Sequence, residues 1–117
     1  MRSLITIFIA MMSFSVFPHV QHPLKIKELA NNGLPNVKIT VGNIRDIQQS
    51  FDIEINGVLT GKRITLNTEQ FKNISVGLPR VQPNQLYKFT VCTVSVPKPN
   101  DKVKSKICSE VKVYYPQ

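Results

Sequence analysis

Hydrophobic and polar residues alternate with a period of two along most of this chain. Leu24-Lys25-Ile26-Lys27 alternates until the turn-forming Asn31-Asn32-Gly33, and Val37-Lys38-Ile39-Thr40-Val41 until Gly42-Asn43. Phe51-Asp52-Ile53-Glu54-Ile55 runs into Asn56-Gly57, a dipeptide that accepts the positive dihedrals of a tight hairpin turn. Further segments follow at Lys62-Arg63-Ile64-Thr65-Leu66, Ile74-Ser75-Val76, Tyr87 to Val96 and Lys106 to Tyr114. Side chains of a strand point alternately to its two faces, so this pattern reads as half-buried strands, and nothing in the chain repeats at helical spacing. Seven short strands separated by turn residues predict an all-β fold, a seven-stranded antiparallel β-sandwich over residues 24 to 117.

The amino end differs. Met1-Arg2 precedes an apolar run from Leu4 to Met12, the layout of a secretory signal peptide and shorter than the roughly 20 residues that span a bilayer. Ser13 and Ser15 place the expected cleavage after residue 15, and residues 16 to 23, with Pro18 and Pro23, read as a loose leader. Export removes Arg2, so the formal +8 of the whole chain becomes +7, fourteen basic against seven acidic residues. The mature chain is expected to be secreted, without stable membrane insertion.

An oxidising compartment changes the reading of the two cysteines, since a lone pair of thiols there is by default a disulfide. Placing Cys92 opposite Cys108 centres the last hairpin on Asn100, inside Pro97-Lys98-Pro99-Asn100-Asp101-Lys102, where the prolines already demand a loop. The same register sets Val91 against Ser109, Phe89 against Val111 and Tyr87 against Val113 on an inward face. The outward face then carries Lys88, Cys92, Val94, Lys104, Lys106 and Lys112.

Val81-Gln82-Pro83-Asn84-Gln85-Leu86-Tyr87 resembles the Leu-x-Pro-x-x-x-Tyr signature at the E–F corner of fibronectin type III domains. The resemblance implies a tyrosine corner, with Val81, Pro83 and Tyr87 as its elements and the Tyr87 hydroxyl bonded to nearby backbone. It extends over about residues 22 to 115, with strands falling where A, B, C, C′, E, F and G are expected. The chain departs from the family in having no tryptophan, Val41 standing near its place. More loosely, a signal peptide followed by one such domain is similar to small secreted surface antigens of parasitic flatworms.

Little in the composition suits catalysis. Both histidines, His19 and His22, fall in the leader and are expected in solvent, and Asp52 and Glu54 read as the polar face of a strand. The glycines lack phosphate-cradling spacing. No enzyme, metal site or cofactor is therefore expected. Asn73-Ile74-Ser75 is a glycosylation sequon at Asn73. Lys98, Lys102, Lys104 and Lys106 against Asp101 give the last hairpin a local +3, able to steer acidic partners or to keep a sheet edge from pairing. Arg45 in the B–C loop completes the candidate binding residues, although Arg45-Asp46 and Arg80 also read as solvated charges. The expected function is a monomeric extracellular binding module for a protein or an acidic glycan, not nucleic acid, using residues 43 to 50 and 97 to 104. A secreted protease inhibitor using the same loops is the alternative.

Overall fold

The computed structural model describes residues 18 to 101 and 104 to 117, so the expected signal peptide and Lys102 lie outside the described residues. Among the described residues eight strands form: β1 (His19–His22), β2 (Lys25–Leu29), β3 (Asn36–Asn43), β4 (Gln49–Ile55), β5 (Val58–Leu66), β6 (Phe71–Gly77), β7 (Leu86–Val96) and β8 (Lys106–Tyr114). No helix forms among the described residues. A three-stranded sheet, β1-β3-β6, faces a five-stranded sheet, β2-β8-β7-β4-β5. This is a β-sandwich with one strand more than the pattern predicts.

The inward residues of both sheets meet in one core. Val37, Ile39, Val41, Ile74 and Val76 come from the small sheet, and Phe51, Ile53, Ile64, Leu66, Phe89, Val91, Val111 and Val113 from the large one. Removing these side chains from water is the main favourable term of the fold. Asn56 and Gly57 adopt φ of 53° and 82°, the positive pair that lets a two-residue turn follow the twist of β4 and β5. Phe71 lies over Gly42, its cross-strand partner, so closely that a Cβ at 42 would collide with the ring.

Two expectations about strand order are corrected. The sandwich is not wholly antiparallel, because β2 pairs with β8 in parallel, from Lys25 opposite Glu110 to Leu29 opposite Tyr114. Residues 16 to 23 are not a loose leader throughout, because His19–His22 forms β1 against β3. The chain pairs with the small sheet up to His22 and with the large sheet from Lys25, crossing between them at the His22–Pro23 peptide, which is cis.

His19 is correspondingly buried rather than solvated, whereas His22 is exposed. From β1, His19 and Gln21 project across the sandwich onto β7 and β8. The Gln21 amide donates to the Val91 carbonyl at 3.0 Å and to Ser109 Oγ at 2.7 Å. Its carbonyl accepts from the Thr93 backbone N–H and hydroxyl at 3.1 and 2.6 Å. Because the Thr93 proton goes to Gln21, His19 Nε2, 3.1 Å away, is the donor to Thr93 Oγ1. Nδ1 then accepts from Ser105 Oγ at 2.6 Å. Among the described residues no buried side-chain polar atom lacks a partner, so this polar cluster avoids the penalty of orphaned groups.

Candidate binding surface

The loops at one end of the sandwich are held together by an ion pair. Arg45 Nη1 lies 2.6 Å from Asp101 Oδ2 and Nη2 3.3 Å from Oδ1, joining the B–C loop to the β7–β8 loop. The same guanidinium donates to Gln49 Oε1 at 2.7 Å, and Gln49 Nε2 donates to the Val96 carbonyl at 2.7 Å. Buried Asn43 fixes the base of the B–C loop, donating to the carbonyls of Ile47, Leu66 and Asn67 and accepting from the Arg45 N–H. Arg45 is therefore a loop clamp, not a solvated charge. The β7–β8 loop turns at Lys98 to Asp101, whose N–H reaches the Lys98 carbonyl at 2.9 Å with Pro99 supplying the fixed φ of the turn.

The lysines expected to act together have different surroundings. Lys98 and Lys104 are exposed, without an ion pair among the described residues. Lys106 sits 3.2 Å from Glu54 on the outer face of the large sheet. Cys92 and Cys108 are bonded and directly opposed on β7 and β8, with Val91 against Ser109, Phe89 against Val111 and Tyr87 against Val113. On the expected solvent face Cys92 and Val94 are nevertheless buried, flanked by Cys108 and by the Glu54 and Lys106 pair on neighbouring strands. Asp52 and Arg63 pair beside them at 2.7 Å, and the Asp52 hydrogen bond, aided by its charge, raises the Arg63 pKa.

At the opposite end, the Gln82 N–H donates to Tyr87 Oη at 3.0 Å and the Tyr87 hydroxyl donates to Gln85 Oε1 at 3.2 Å. Val81 is buried there and its N–H bonds the Gly33 carbonyl at 2.8 Å, while Pro83 lies between them in the turn. Asn73 is exposed on β6, its Oδ1 accepting from Thr40 at 2.6 Å. It stands on the small sheet, apart from the Arg45 and Asp101 clamp.

Sequence reasoning missed the polar cluster on β1. Burial lowers the pKa of His19, a hydrogen bond with Thr93 opposing part of that shift, and the imidazole also packs on Phe51 with ring centroids 4.7 Å apart. The residues that β1 buries, His19 and Gln21, are polar, so hydropathy alternation carried no signal for them.

No family model matches the chain, and no curated protein sequence matches it. Solved structures do. The E. coli chaperone DraB superposes with a TM-score of 0.67 at 14% identity, over 86% of this chain and 56% of that one. The chain thus spans little more than half of the DraB chain. The PapD-like (ASH) domain 7 of human CEP192 superposes with a TM-score of 0.65 at 11% identity, over 91% of this chain and 96% of that one. At such identities the likeness shows the fold alone, an Ig-like β-sandwich.

Proposed function

We propose that this chain is a secreted, non-enzymatic binding module whose partner is an acidic extracellular macromolecule. The Arg45–Asp101 clamp carries the reading. It fixes two loops to each other and leaves Lys98 and Lys104 exposed beside them, so the basic charge is presented from a defined frame. Loops held by a rigid sandwich are where such domains carry recognition. The Tyr87 hydroxyl bonded to the Gln82 N–H supports the finer assignment to the fibronectin type III type. Export and glycosylation at Asn73 belong to the same reading.

Capture of partners from extracellular material on the immobilised domain tests it. Capture released by raised salt and reduced in K98Q/K104Q is the expected result, because exposed charges are screened within about 8 Å at physiological ionic strength. Salt-resistant capture, or inhibition of a protease panel at stoichiometric domain, overturns it.

A further inference from the structure

The ladder register discloses a row of lysines that the linear sequence scatters. Lys27 stands opposite Lys112 across β2 and β8, and Lys112 opposite Lys88 across β8 and β7. They alternate with the inward-facing Ile26, Phe89, Val111 and Val113, so all three belong to the outer face of the large sheet. Lys27 and Lys88 are exposed, Lys112 partly so, and none makes an ion pair among the described residues.

Like charges directly opposite on adjacent strands destabilise a sheet, here across two ladders in succession. The rest of this face avoids the problem, with Arg63 against Asp52 and Lys106 close to Glu54. Lys25 likewise stands opposite Glu110. The fold therefore keeps an uncompensated row where neighbouring rows are neutralised. Along the strand axis Lys25 and Lys106 follow, each beside a carboxylate, Glu110 and Glu54, with exposed Lys104 beyond them. Lys106 and Lys112 alone are about 20 Å apart at the usual rise of a strand. One step to the other side, Leu29, Tyr114 and Leu86 form a second row in register. Beside it is an open groove of about 400 Å³, bounded also by Lys27, Lys112 and Glu28.

We propose that this face docks a linear sulfated polysaccharide, with Lys27, Lys88 and Lys112 as the anchor and the Tyr114 row as the apolar floor for a sugar ring. The proposal rests on the acidic-partner reading and names the partner's class. A chain of sulfates matches cations lined up in one row across three strands better than a lipid surface, which would meet cations arranged around an apolar tip. Bound sulfates also relieve the repulsion within the row.

Binding of the mature domain to immobilised heparin, desulfated heparin, duplex DNA and phosphatidylserine vesicles tests this. Heparin is expected to bind in a salt-sensitive way and to raise Tm, and desulfated heparin to do neither. K27Q/K88Q/K112Q is expected to weaken heparin binding by about tenfold or more, as lost counterion release predicts. The free variant is expected to melt above wild type, because its row no longer repels, and heparin should raise its Tm much less. K98Q/K104Q is expected to lose less. Full heparin binding by the triple variant overturns the site. Equal or tighter binding of DNA or vesicles overturns the ligand class. No heparin binding by wild type, with a captured partner still released by salt, overturns the glycan and leaves the acidic-partner reading standing.

Discussion

The two ends of the sandwich interior are both buried and chemically opposite. Around Phe89, Val111 and Val113 the sheets meet through aliphatic and aromatic contacts alone, whereas around His19, Gln21, Thr93 and Ser109 they meet through hydrogen bonds. Apolar contacts tolerate sliding and repacking. The polar end does not, because a shift of one residue in β1 would turn Gln21 outward and take its amide from Val91, Thr93 and Ser109. Burial of the apolar end drives the sheets together, and the polar end dictates how β1 is aligned on them.

Phe51 touches both regions, filling the core and packing on His19, so Phe51→Ala is expected to cost the most, about 3–5 kcal/mol by chemical denaturation. Next comes Cys92→Ala with Cys108→Ala, which opens a loop of sequence separation 16. In the chain-entropy model that loss is roughly 3 kcal/mol, with unchanged far-ultraviolet circular dichroism. Gln21→Leu keeps the volume and removes the hydrogen bonds, and a loss of about 2 kcal/mol is expected. No loss in Gln21→Leu, beside a clear loss in Val111→Ala, would show that the polar end is not needed for stability.

A further contrast concerns pH. His19 is held neutral, with its folded pKa below the ordinary 6.5. The unfolded chain therefore binds the extra proton first, so stability is complete above about pH 6.5 and falls as pH drops toward the folded value. The slope from this group is at most about 1.4 kcal/mol per pH unit. His19→Phe should flatten the urea midpoint between pH 7 and 5, and Val111→Ala should lower it while preserving the slope. The smallest effect is expected from Tyr87→Phe, about 1 kcal/mol for the lost corner bonds, with Tm as the readout.

The seven apolar strands were legible because half of each faces the core and the period of two survives in the sequence. Strand β1 was not, since the residues it buries are histidine and glutamine, and an alternation rule sees only apolar burial. The last hairpin could be registered from sequence because one covalent bond between opposed cysteines determines every pair along it. Partnership across long separations is another matter. Nothing local links Arg45 to Asp101, 56 residues on, or brings Lys27 beside Lys112. Those contacts exist only once the sheet order is known, and the parallel pairing of β2 with β8 was the step that alternation leaves open.

The crossing at His22–Pro23 also bears on where this domain begins. A fragment starting at residue 24 would keep every strand of the large sheet, yet Thr93 and Ser109 would face a vacant slot and β3 would expose an unpaired edge. Another molecule's residues 19 to 22 would fit that slot as well as its own. Supplied as a separate peptide, that segment is expected to fill the slot and raise the fragment's Tm.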